Sequence, residues 1–254
     1  MRFGSVDFIN KEGVAWITLD DPDRFNARSP EIRQGLRESL AQVEADDSIR
    51  VAVLTGNGDK AFCAGGDISR FSFEAHAARQ FSKETLTLTH SLEACSKPVI
   101  AAVNGLALGG GFELAMASDF IIASDRAQFG LPEIRLGLMP GFAVVRLHEI
   151  VGRARAKELA MLGEPISAEE ALRLGIVLRV VPQAQLLEEA GAFARKLAAK
   201  PRTAISMIKA TFNRGLGGEE LKHAMEALPV LFATEDAREG ITAFREKRKP
   251  RFKT

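Results

Sequence analysis

Twice in this chain a short apolar run breaks at a cluster of glycines and emerges on a carboxylate, first at Ala64-Gly65-Gly66-Asp67 and again at Gly109-Gly110-Gly111-Phe112-Glu113. A third acid, Glu133, follows in Phe129-Gly130-Leu131-Pro132-Glu133. Glycine reaches backbone conformations closed to other residues and lets backbone N–H groups turn toward a ligand. Carboxylic acids in pairs are the usual apparatus of proton transfer. The pattern implies a site in which an oxyanion rests on two backbone amides beside working glutamates, each such donor being worth about 10²–10³ in rate.

The flanking segments indicate an α/β layered fold. Residues 14–19 read as a strand between Gly13 and the turn Asp20-Asp21-Pro22-Asp23. Ser29 and Pro30 then open a helix whose apolar face is Ile32, Leu36, Leu40 and Val43. Short buried strands are expected at 51–54, 99–103 and 120–123, and helices near 74–95, 111–118, 153–162 and 167–174. Beyond about residue 185 only helical periodicity is found, over 186–199, 204–213, 218–232 and 234–246, punctuated by Pro201 and Gly215-Leu216-Gly217-Gly218. The expected division is an α/β core, 1–190, and a helical region, 191–254. A net charge of +1 points to neither nucleic acid nor a membrane surface. No apolar run approaches the roughly 18 residues of a membrane span. The two cysteines, Cys63 and Cys95, form no CxxC, and residues 1–7 lack the apolar core of a signal peptide. A cytoplasmic enzyme is the expectation.

Glu113 sits on a helix that is otherwise small and apolar, and Glu133 lies among Leu131, Pro132 and Ile134. Burial raises a carboxyl pKa and makes it a usable acid, and a second carboxylate nearby couples the two titrations. Read singly, each glutamate is equally an ordinary surface residue and each glycine cluster merely a tight turn. Competing motifs fail. Gly56-Asn57-Gly58-Asp59-Lys60-Ala61 has the form GxGxxA but runs on into Phe62-Cys63-Ala64 rather than a helix start. There is no GxxxxGK[ST], GxSxG or HExxH motif and no metal-ligand spacing. The histidines, at 76, 90, 148 and 223, are scattered, and Cys63, with no basic partner nearby in sequence, reads as a packing residue. The basic stretch 245–253 is either a solvated tail or a contact for phosphates.

Four segments resemble the crotonase (enoyl-CoA hydratase/isomerase) superfamily, closest in motif to the hydratases: 60–68, 97–114, 129–141 and 239–248. The resemblance covers essentially the whole chain. It implies a spiral of ββα units followed by C-terminal trimerisation helices, with trimers pairing into hexamers, and acyl-CoA thioesters as substrates. It implies no cofactor beyond the coenzyme A of the substrate. The thioester carbonyl would rest on the backbone amides of Ala64 and Gly110, which stabilise an enolate-like intermediate. Glu113 and Glu133 would be the acid and base that add water across a double bond. Arg24, Phe25, Ala27, Asp67, Ile68, Phe244 and Lys247 match positions that contact coenzyme A or border its channel. One departure stands out. After Pro140-Gly141 the hydratases run Gly-Gly-Thr, whereas this chain has Phe142-Ala143-Val144-Val145. The expectation is an altered loop at 141–145 in which Phe142 and Val144 reshape the acyl pocket. That leaves an isomerase or decarboxylase as the alternative to a hydratase, and a non-catalytic CoA- or RNA-binding scaffold as a more distant one.

Overall fold

The computed structural model describes residues 1–213 and 232–251, with Lys222, Met225, Glu226, Pro229 and Val230 between them. The helix expected over 218–232 and the glycines before it lie for the most part outside the described residues. In chain order the elements are β1 (Arg2–Phe3), β2 (Val6–Lys11), β3 (Val14–Leu19), α1 (Pro30–Ala45), β4 (Val51–Gly56), β5 (Ala61–Cys63), α2 (Ala75–Ala94), β6 (Val99–Val103), β7 (Leu106–Leu108) and α3 (Gly110–Met116). They continue as β8 (Phe120–Ser124), β9 (Gln128–Gly130), α4 (Ala143–Val151), α5 (Arg153–Leu162), β10 (Ile166–Ser167), α6 (Ala168–Arg173), β11 (Arg179–Val181), α7 (Leu186–Ala198), α8 (Arg202–Asn213) and α9 (Glu235–Arg245).

These elements repeat as a unit. β4-β5-α2, β6-β7-α3 and β8-β9-α4 each send a first strand into a large sheet, a second into a small one, and then a helix. The large sheet runs β1-β2-β3-β4-β6-β8-β11 and is parallel from β3 onward. The small sheet runs β10-β9-β7-β5, with β5, β7 and β9 parallel. Chain that alternates between two sheets and advances one strand per unit traces a spiral. This is the crotonase-type α/β fold.

Strands covered on both faces read as continuous apolar runs. Val51 and Val53 of β4 face Ala190 and Ala194 of α7, whereas Ala52 and Leu54 face the main core with Ile32, Leu36 and Leu40 of α1. Ser29 starts α1, its Oγ accepting from the Ile32 N–H at 3.3 Å. The boundary expected at 190/191 falls inside α7, whose buried face is continuous with the large sheet. Residues 143–151 are helical, so the segment expected as an altered loop at 141–145 is instead the entry to α4. No side chain caps that helix locally, which is why the sequence carries no start signal for it.

Two buried asparagines fix the loops on which the glycines stand. Asn26 is left-handed (φ 54°); its side chain accepts from the Asp21 N–H and donates to the carbonyls of Asn57 and Ala61. Asn104 donates to the carbonyls of Gly56 and Gly58. Lys97 is buried, and its Nζ donates to the carbonyls of Val43 (2.5 Å) and Asp46 (2.7 Å) at the end of α1. It closes a helix terminus at which the Val43 carbonyl has no other donor among the described residues, while the Asp46 carbonyl also accepts from the Ile49 N–H at 3.0 Å. Replacing Lys97 by Met should lower stability by roughly 1.5–3 kcal/mol, the range for a buried hydrogen-bonded charge. Urea unfolding checks this, and an unchanged midpoint would mean those carbonyls find other donors.

Candidate active site

The three motifs converge because they occupy equivalent places in successive units. Gly65 and Gly66 follow β5, Gly109 and Gly110 follow β7, and Leu131 to Glu133 follow β9. β7 lies between β5 and β9, pairing Ala107 with Cys63 and Leu108 with Gly130. The carboxyl ends of three adjacent parallel strands therefore open on one cavity, the usual place for a ligand in such sheets. Its polar lining includes Arg28, Thr85, Glu113 and Glu133 together with the backbone of Gly66 and Gly110. Its apolar wall is built by Phe71, Phe81 and Phe232, whose rings meet at 4.9–6.1 Å between centroids.

Each glycine of the triplet has its own cause. Gly109 is left-handed (φ 51°), and a Cβ there would stand 2.6 Å from Glu133 Oε1. At Gly110 a Cβ would meet the guanidinium of Arg28, and at Gly111 the carbonyl of Cys63. Gly110 begins α3, so its N–H has no partner within the helix. Ala64, the other expected oxyanion donor, is not free: its N–H donates to the carbonyl of Phe25 at 3.0 Å. Gly66, two residues on, donates to nothing among the described residues and borders the cavity. The structure thus moves the second candidate donor from Ala64 to Gly66.

The two glutamates share the cavity but not an environment. Glu113 is buried, and its Oε1 accepts from the N–H groups of Phe142 (2.6 Å) and Ala143 (3.1 Å). Those amides open α4, so the positive end of that helix lies against Glu113. Glu133, in the 3-10 turn Pro132–Leu136, has a buried Oε2 with no hydrogen-bond partner. Burial first, and the charge of Glu113 second, push the Glu133 carboxyl up to about 8. Glu133 is thereby pushed toward its neutral form, whereas Glu113 Oε1 accepts from two backbone amides.

The other expected residues are spread more widely. Phe142 is buried in the core and meets the site through its backbone N–H rather than its side chain. Val144 is 42 % exposed and lines a separate groove with Ile134, Met139 and Met161. Neither shapes the cavity wall, because they belong to the start of a helix that points its amides inward. Ile68 lines the cavity. Asp67 caps the short turn Ile68–Arg70 and pairs with Arg24 (3.8 Å) and Arg70 (3.3 Å). Phe25 is half-exposed and left-handed, and Ala27 is partly buried beside it. Phe244 and Lys247 are exposed near the end of α9. Between them Arg245 donates to the carbonyls of Ile68, Ser69 and Phe71, which brings this stretch beside the turn that Asp67 caps. In the basic tail Arg248 pairs with Glu239 and Glu246. Cys63 is buried, which pushes its thiol up. Sequence reasoning missed Arg28, Thr85 and Gly66; the first two carry no motif, and Gly66 was in plain view beside Ala64.

A two-sheet spiral whose three strand ends carry two backbone donors and two acids is an acid–base site for an enolisable carbonyl. The model of the family Enoyl-CoA hydratase/isomerase matches residues 10–254, and the chain belongs to that family. It is 38 % identical over 258 residues to the crotonyl-CoA hydratase of Syntrophomonas wolfei, covering 99 % of each chain. It is 42 % identical over 247 residues to a probable enoyl-CoA hydratase of Bacillus subtilis, covering 94 % of this chain and 95 % of the relative. The solved structure of an enoyl-CoA hydratase/isomerase from Xanthobacter autotrophicus Py2 superposes with a TM-score of 0.89 at 31 % identity, covering 99 % of this chain and 100 % of that one.

The raised Glu133 carboxyl can be observed directly. A ¹³C carboxyl titration should find one glutamate with a midpoint near 8. Glu113→Gln removes the neighbouring charge and should bring that midpoint down. A midpoint that does not move would mean that burial alone sets it.

Proposed function

We propose that this chain is a hydro-lyase that adds water across the 2,3-double bond of an enoyl-CoA thioester. The observation that carries the reading is the division of labour between two carboxyl groups in one cavity, Glu133 buried with an unpartnered oxygen and Glu113 accepting from two backbone N–H groups. The thioester oxygen would accept from the N–H groups of Gly66 and Gly110, placing negative charge where two backbone dipoles already point. Glu113 takes a proton from water as its oxygen bonds to C3. The C2–C3 electron pair moves toward the carbonyl, forming an enolate held by the two amides. Glu133 gives its proton to C2 and restores the thioester. Proton exchange with solvent then returns both glutamates to their starting states.

The chemistry needs no cofactor beyond the coenzyme A of the substrate. Arg24, Phe25, Ala27, Asp67 and Ile68 on one side, and Phe244 and Lys247 on the other, are proposed to hold it, with Lys247 as a point charge for phosphate. Two free, buried cysteines fit a reducing compartment, and we place the protein in the cytoplasm. Among the described residues no helix is long and apolar enough to cross a membrane.

But-2-enoyl-CoA should lose its thioester-conjugated absorbance on incubation and yield the 3-hydroxyacyl product by mass spectrometry. Glu113→Gln and Glu133→Gln should each lower kcat by about 10²–10⁴, the usual worth of a positioned acid or base. Exchange of deuterium into C2 without net hydration would instead indicate an isomerase or another enolate-forming lyase. We also propose a homotrimer or a dimer of trimers. Met207, Ile208 and Phe212 on α8 are 67, 57 and 81 % exposed in the isolated chain, and grouped exposed apolar side chains mark an interaction face. Light scattering should return three or six times 27.5 kDa, and a monomeric mass would exclude this assembly.

A further inference from the structure

Arg28 takes no part in the mechanism above, yet it is among the most deeply buried charges in the molecule. It is 4 % exposed and lines the cavity. Its neighbours hold it there firmly. The Arg28 N–H donates to the Gly65 carbonyl at 2.7 Å, and its own carbonyl accepts from Arg33 Nη1 at 2.9 Å. Its side chain lies against Gly110 so closely that a Cβ on that residue would be 1.5 Å from Nη2.

The guanidinium has charge to spare. Nη2 is 3.7 Å from Glu113 Oε2, near enough for attraction but beyond a hydrogen bond. Nε and Nη1 have no acceptor. Thr85, also buried and on the same cavity, has an unpartnered Oγ1. Leaving donors of a buried cation unpaired is strongly unfavourable, so native structures supply an acceptor. Among the described residues these side chains line the same cavity as the two glutamates, where the proposed substrate's acyl chain would lie. Planar guanidinium is the side chain best matched to a carboxylate.

We infer that Arg28 is a specificity residue that recognises a carboxylate carried by the acyl chain, so that the preferred substrate is the mono-thioester of a short unsaturated diacid. The inference rests on the hydratase reading and deepens it. The length follows from geometry. Arg28 stands beside Glu113, which acts at C3, so the carboxylate must lie within a bond or two of the reacting carbons. The cavity volume of about 80 Å³ agrees, since it has room for roughly six water-sized groups. Thr85 supplies a further hydrogen bond to the same anion.

The test compares 4-carboxybut-2-enoyl-CoA with pent-2-enoyl-CoA, its length-matched uncharged counterpart. The wild type should prefer the carboxylated substrate in kcat/KM by about 10-fold or more. Arg28→Leu should reduce that preference by about 10- to 150-fold, the span for loss of a hydrogen-bonded charged partner. Arg28→Lys, which keeps the charge and loses the planar fork, should fall between them. Equal losses on both substrates would show that Arg28 serves the common chemistry, and a wild type that favours pent-2-enoyl-CoA would likewise overturn the inference. Binding separates this inference from the hydratase reading. In calorimetry the saturated 4-carboxybutanoyl-CoA should bind more tightly than pentanoyl-CoA, by a ratio that Arg28→Leu abolishes. If neither enoyl substrate is hydrated, the hydratase reading fails and the binding ratio still decides the role of Arg28; equal wild-type affinities would overturn it.

Discussion

At positions 109, 110 and 111 the chain has no room for a side chain, and the site is assembled on that crowding. Glu133 presses on the first α-carbon, Arg28 on the second and the carbonyl of Cys63 on the third. Three separate parts of the spiral thus meet at the start of one short helix. The first contact brings a carboxyl group from the β9 turn to the site. The second brings a cation from the segment before α1. The third seats α3 on β5, and with it the unpaired N–H of Gly110. A methyl group at any of the three would push one of these apart. Local glycine chemistry and global topology are here the same constraint.

The cavity that results holds two carboxyl groups and one guanidinium within a largely apolar wall, where charges act over short distances with little screening. Glu113 meets this by accepting from two backbone amides at the head of α4. Glu133 meets it by keeping its proton, because burial and the charge of Glu113 act in the same direction. Groups of the same chemical type thereby take opposite roles, the pattern expected of an acid–base pair. Arg28 satisfies neither route. Its attraction to Glu113 is partial, and two of its nitrogens remain without acceptors.

Much of this was legible in the sequence, and the remainder was illegible for definite reasons. Strands β3, β4, β6 and β8 of the large sheet and helices α1, α2 and α5 follow from apolar periodicity and from the Ser29–Pro30 start, whereas β2, as long as β3, was not anticipated. Glu113, Glu133 and Gly110 follow from the glycine pattern and the family resemblance. The small sheet does not, because three-residue strands such as 61–63 and 106–108 are too short to show a period. The free amide at Gly66 could not be told from the one at Ala64. What separates them is a hydrogen bond from Ala64 to Phe25, nearly forty residues away in the chain. Arg28 sits in no motif, and only the spiral brings it beneath Gly110.

The run Phe142-Ala143-Val144-Val145 shows how a departure from a family pattern can be read correctly and still mislead. Its bulk suggested a reshaped pocket. In the structure the bulk faces elsewhere: Phe142 enters the core, and Val144 lies on an outer groove. What the segment gives the site is two backbone N–H groups for Glu113, a contribution that any residue except proline at those positions can make. Side-chain variation there is therefore compatible with unchanged chemistry at Glu113. Selectivity for the acyl chain must come from side chains that do face the cavity, and among its polar ones Arg28 and Thr85 are left over once the two glutamates have their tasks. The weight of the question about substrate thus shifts from the entry of α4 to the segment before α1.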